Sequence, residues 1–224
     1  MSTTLERMQQ MATQWRQAGD RRAIFAEAYG TMTANMEQAV GGSAFTDPVW
    51  VARLLERFAD YYFGAVHSYE HGSGGCPQVW AEAFRYCDER DLHPLQHLFL
   101  GVNAHINYDL PLALVDVLDD WPLLAPDRRD ARYRDYEAVN RVIGGTIDAV
   151  QADVVAERSP MLGWADAVLG RVDEWLFSHL IGDWRDDVWD RAVRLLESDE
   201  TTRPALLVAI DDRAQRIARL VAAI

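Results

Sequence analysis

Apolar residues recur along this chain at the three- and four-residue spacing of an α-helix, and no segment alternates with the period of two that a half-buried strand needs. That pattern predicts an all-α protein: a single-domain helical bundle, residues 1–224, of about eight helices around a buried, proline-bent central helix. The spacing places helices over 3–18, 21–40, 47–70, 77–89, 94–119, 128–157, 164–181 with 184–197, and 204–223. Asp47-Pro48 reads as an N-cap followed by proline at the first helical position, and the run His71-Gly72-Ser73-Gly74-Gly75 stops that helix. Gly182-Asp183 reads as a stop followed by a new N-cap, with Asp186 completing a capping arrangement. Gly144-Gly145, inside 128–157, predicts a kink or a close helix contact.

The central segment sets the functional question. Residues 94–119 are apolar around nearly the whole helical circumference, as in a helix buried at the middle of a bundle. Yet the segment carries His97, Asn103, His105, Asn107, Tyr108 and Asp109. At 100° per residue His97, Gly101, His105, Tyr108 and Asp109 share one broad face, while Asn103 and Asn107 lie one turn apart on the opposite face. A buried polar group without a partner costs about 1–3 kcal/mol, so this many must meet partners, a metal, water or a ligand. Pro111 removes the bond that the Asn107 carbonyl would accept and predicts a bend near 107–111, beside His105 and Asp109.

The histidines are spaced by four from each other or from an aspartate: His67 with His71, His93 with His97, His105 with Asp109, His179 with Asp183. That spacing puts two side chains on one side of a helix, the geometry for two ligands to one ion. The metal reading pairs His105 and Asp109 with His179 from a second helix and with His97 as a further member, a donor set suited to zinc, iron or manganese. His97 and His105 are about 12 Å apart along a straight helix and share an ion only if it bends between them. The bland alternatives are a solvated helix end for His67/His71, a helix start for His93, and a register-fixing buried hydrogen bond for His105/Asp109. Asp186-Asp187-Val188-Trp189-Asp190 spells D-D-x-x-D, the magnesium-diphosphate pattern of class I terpenoid cyclases. No second motif of that class follows, and the apolar residues Phe177, Ile181, Trp184 and Val188 face away from the acids, so a solvated acidic face is expected.

Composition narrows the classes further. The chain has 22 basic and 35 acidic side chains, formal net charge -13, and every basic residue is arginine. Without lysine there is no pyridoxal phosphate Schiff base and no Walker phosphate lysine. The acidic balance argues against a nucleic-acid partner, and the absence of G-x-G-x-x-G against a nucleotide cofactor. Two cysteines, Cys76 and Cys87, make no disulfide framework; no signal peptide or membrane segment is legible, and a cytoplasmic protein is expected.

Leu100-Gly-Val-Asn-Ala-His-Ile-Asn-Tyr-Asp-Leu110 resembles the core motif L-G-x-N-A-H-I-N-x-D-L of a bacterial domain-of-unknown-function family. Asp135-Tyr136-Glu137-Ala138-Val139-Asn140 resembles its second block, D-[FY]-x-x-[VI]-N. The resemblance implies an all-helical protein, draws attention to Asn103, His105, Asn107, Asp109, Asp135 and Asn140, and implies no reaction. The lysine-free composition is similar to that of high-GC actinobacterial proteins, where such chains sometimes sit among natural-product enzymes. The expectation is a small-molecule enzyme, for cyclisation, elimination or hydrolysis, with or without a divalent metal. His105, Asp109 and Tyr108 would be catalytic, and Asn103, Asn107, Asn140 and Asp135 would bind substrate. Alternatives are a non-catalytic binding protein for an apolar small molecule and a helical interaction module using the C-terminal helix; a homodimer is a further expectation.

Overall fold

The computed structural model describes residues 3–72, 74–89, 92–155 and 174–223. These form α1 (Thr4–Ala18), α2 (Arg22–Val40), α3 (Pro48–His71), α4 (Gln78–Glu89), α5 (Pro94–Ala104), a π-helical turn (His105–Asp109), α6 (Leu110–Val117), a short 3-10 turn (Trp121–Leu123), α7 (Pro126–Val155), α8 (Glu174–Glu197) and α9 (Arg203–Ala223). No strand occurs among the described residues. The termini follow local chemistry. Thr3 and Glu6 close a capping box on α1, and Gly19, at φ 70°, takes the left-handed conformation that ends it. The Asp47 side chain accepts from the Trp50 amide at 3.0 Å and Pro48 opens α3, as the sequence predicts.

Two expectations are corrected. α8 runs unbroken through Gly182, so Asp183 and Asp186 are exposed mid-helix residues and not caps. The buried faces of Trp184, Val188 and Trp189 hold that helix in one piece, which a local reading of Gly-Asp does not weigh. α7 likewise continues through Gly144-Gly145, and among the described residues a side chain at 144 would meet nothing within 4 Å, so no close helix contact at Gly144 is seen there. Residues 164–173 of the predicted helix 164–181 lie outside the described residues.

α5, the π turn and α6 form one continuous rod through the centre. Its first half, with Leu98, Leu100 and Ala104, packs into a core shared with α1–α4 and α9. Its second half, with Ile106, Leu110, Leu114 and Leu118, packs into another built around Trp50, Tyr136 and Trp189. The Pro111 disturbance is absorbed by the π turn: the Leu110 amide donates to the carbonyl of His105, five residues back. His105 and Asp109 are the two ends of that turn, at the junction of both cores. α9 lays Ile210, Ala214 and Ala218 into the core while Leu207, Val208 and Leu220 stay exposed. No helix among the described residues is long and apolar enough to cross a membrane.

Candidate functional site

His105 and Asp109 are 3% and 0% exposed. Nδ1 of His105 lies 2.9 Å from Oδ2 of Asp109, and the indole N–H of Trp80 donates to the same oxygen at 2.9 Å. The i,i+4 spacing read from the sequence therefore becomes a direct bond, and α4 supplies a third member. Among the described residues, Nε2 of His105 and Oδ1 of Asp109 are buried with no hydrogen-bond partner, and so is the hydroxyl of Tyr62. Native cores satisfy most such atoms, so two on one hydrogen-bonded pair mark this region.

The walls are aromatic. Phe58 stacks on His105 with ring centroids 3.5 Å apart, and Tyr29 meets it edge-on at 4.3 Å. Phe25, Tyr62 and Trp80 complete the shell at 5.8, 6.0 and 6.2 Å. Helical spacing delivers these rings, since Phe25–Tyr29, Phe58–Tyr62 and Trp80–Phe84 are i,i+4 pairs on α2, α3 and α4. Three aromatic i,i+4 pairs on consecutive helices were the available signal for this shell; sequence reasoning centred on 94–119 missed all of them. Gly101 completes the packing. A Cβ there would sit under 3.0 Å from Cβ, Cγ and Cδ2 of Phe25, so only glycine lets α2 bring that ring against α5.

Burial dominates the electrostatics. It lowers the His105 imidazole well below its ordinary value and raises the Asp109 carboxyl well above the usual carboxylate range, the latter opposed by the Trp80 N–H. The phenols of Tyr29 and Tyr62 are raised well above theirs by the same desolvation. Desolvation therefore disfavours the charged form of each of these groups.

Other expected site residues lie elsewhere. Asn103 and Asn107 sit one turn apart as read: Asn107 donates to Asn103 Oδ1 at 3.1 Å, and Asn103 donates to the Ala214 carbonyl of α9 at 2.9 Å. Tyr108 is half-buried, and burial raises its phenol, with Asp211 and Asp109 adding to the effect. Asp135 accepts the backbone amides of Thr46 and Asp47, both at 2.7 Å, at the start of α3. Phe58, against His105, is eleven residues further along that helix, about 16 Å. Asn140 accepts from buried Arg185 at 2.6 Å, joining α7 to α8. Asp135 and Asn140 are thus each engaged in a link between elements, and neither bonds to His105 or Asp109 among the described residues.

His97 is buried with Nδ1 3.7 Å from Cys87 Sγ, whose thiol burial pushes up to about 12. Among the described residues no group of three or more His, Cys, Asp or Glu side chains is placed to hold a metal ion. The side chain of His179 lies outside the described residues. Beside the shell is a cavity of about 10 Å³, lined by Phe25, Tyr62, Trp80, Cys87, His97 and Gly101 among others, room for about one water molecule.

An all-helical chain with a buried histidine–aspartate pair on a π turn is the class that fold and site define. The protein belongs to the family described as a family of unknown function, DUF5995, whose model matches residues 1–224. No curated protein and no solved structure matches the chain.

Proposed function

We propose that this protein is a small-molecule enzyme in which Nε2 of His105 takes a proton from a flat, largely apolar substrate and Asp109 orients the imidazole. The observation that carries this reading is the unpartnered Nε2 of His105, held inside an aromatic shell by a single bond at the other ring nitrogen. A neutral imidazole accepts a proton, and a carboxyl group bonded to Nδ1 stabilises the cation that results. The π turn supports the reading, because such turns inside helices concentrate at functional sites. The small cavity shares Phe25, Tyr62 and Trp80 with the shell, so the open space in this region adjoins the walls of the dyad. The chemistry proposed is proton transfer at His105 in a cyclisation, elimination or hydrolysis, with or without a divalent metal.

The test uses 5-nitrobenzisoxazole, a flat aromatic ring that opens when a base removes one proton. Wild-type protein is expected to accelerate the opening over buffer, and His105→Gln to lose about a hundredfold or more of that rate. Equal rates in the two proteins would overturn the proposal. The five rings around His105 also favour a second reading, a binding protein for an apolar aromatic molecule. Saturable binding of the probe with no turnover would select it.

A further inference from the structure

Two N–H-bearing rings converge on one oxygen. The Trp80 indole and Nδ1 of His105 both lie 2.9 Å from Oδ2 of Asp109, while Oδ1 has no partner. The indole can only donate, so Oδ2 accepts from it. An oxygen that carries no proton accepts such a bond better than a hydroxyl oxygen does, and best of all when ionised. Trp80 therefore keeps Oδ2 free of a proton, whether the carboxyl is ionised or holds its proton on Oδ1. With Oδ2 proton-free, the proton of the His105–Asp109 bond resides on Nδ1, and a neutral imidazole then has none on Nε2.

We propose that Trp80 is a positioning residue: by donating to Asp109 Oδ2 it fixes His105 as the Nδ1–H tautomer and leaves Nε2 bare to act as the base. Without the indole N–H, Oδ2 is free to carry the proton and donate it to Nδ1. The imidazole hydrogen then sits on Nε2, where it cannot accept. The titratable groups that couple to Asp109 are the Tyr29 phenol of α2, the Cys76 thiol before α4 and the Tyr108 phenol of the π turn itself, each raised toward its neutral form, so none brings a charge that competes with the indole. The inference rests on the reading of His105 as the base, but its test reads the tautomer and not turnover. A protein with the Nδ1–H tautomer and no turnover would defeat that reading alone.

The experiment is ¹⁵N NMR of histidine-labelled protein, the His105 signals being assigned from their loss in His105→Gln. Wild type is expected to show the Nδ1–H tautomer. Trp80→Phe is expected to move the tautomer ratio toward Nε2–H by about tenfold or more, the factor one bond to a charged or strongly polar oxygen carries. Tyr62→Phe, which removes a shell hydroxyl with no bond to Asp109, is expected to leave the ratio unchanged. Should Trp80→Phe fail to fold, benzothienylalanine at position 80 keeps the bicyclic shape without the N–H. An Nε2–H tautomer in wild type, an unchanged ratio without the N–H, or an equal shift in Tyr62→Phe each overturns the proposal.

Discussion

Phe58 lies flat against His105, with ring centroids 3.5 Å apart and planes 9° from parallel. The contact fixes the imidazole plane from the side of α3, as Asp109 fixes it from its own helix. Between them they leave the ring no freedom to turn Nε2 toward a substitute partner in the core. The dyad is therefore tightly held, which a proton-transfer site needs and a register-fixing hydrogen bond does not.

Substitutions at 109 separate an acceptor from a charge. Asp109→Ala leaves the Trp80 and His105 N–H groups buried without partners, at about 1–3 kcal/mol each, so unfolding by urea should show a loss of about 2–6 kcal/mol. Asp109→Asn retains a carbonyl oxygen that can accept both bonds and, although its amide nitrogen takes the unpartnered Oδ1 position, should lose less than Asp109→Ala. Equal losses in the two variants would show that the carboxylate charge, and not the shared acceptor, holds the pair.

The two shifted groups pull the pH dependence of stability in opposite directions. Asp109, raised in the fold, keeps its proton when the unfolded chain ionises above its ordinary 3.8, so its contribution falls as pH rises until the folded value is passed. His105, lowered in the fold, stays neutral when the unfolded chain protonates below 6.5, so its contribution falls as pH drops. Between 3.8 and 6.5 the two slopes oppose each other. Relative to Asp109→Asn, wild type should lose up to about 1.4 kcal/mol per pH unit above that window, and the variant should show the unopposed histidine slope inside it. Urea titrations of both proteins across the range check the crossing.

The rod and its dyad were legible because helical period and i,i+4 spacing are local properties: His105, Asp109 and the Pro111 disturbance can all be placed from thirty residues of text. The shell was not, because Phe58 and Trp80 reach His105 only through the packing of α3 and α4 against the rod, which no single window contains. Gly182 misled for the same reason, since the buried faces of Trp184 and Val188 outweigh one glycine in α8. Asp135 and Asn140 carry the side chains of a binding site and also those of a helix tie; the sequence holds nothing that tells the two apart.

Gly101 should resist even alanine. The added carbon would fall under 3.0 Å from Cβ and the near ring atoms of Phe25, and the ring has Trp80 and Tyr62 behind it. Overpacking of this kind costs about 1–3 kcal/mol, and thermal melting should show it. Phe25→Ala removes Cγ and Cδ2, the two nearest of the clashing atoms, so Gly101→Ala should cost less in the Phe25→Ala background than in wild type. Additive losses would mean that Phe25 is not what position 101 accommodates.

Arg185 ties α7 to α8 without a carboxylate. Its Nε donates to Asn140 Oδ1 at 2.6 Å, an Nη donates to the Tyr136 carbonyl at 3.2 Å, and its guanidinium lies 4.2 Å from the Tyr136 ring centre. The Tyr136 hydroxyl donates back to the Arg185 carbonyl at 2.6 Å. Asn140→Ala removes the acceptor from a buried cation, and a loss of about 1–3 kcal/mol is expected in chemical denaturation. Because neither Asn140 nor Arg185 bonds to His105 or Asp109 among the described residues, the His105 tautomer and the rate with 5-nitrobenzisoxazole should be unchanged in Asn140→Ala. If the rate falls at full stability instead, Asn140 belongs with the substrate-positioning groups, and the second block of the sequence motif reaches the dyad after all.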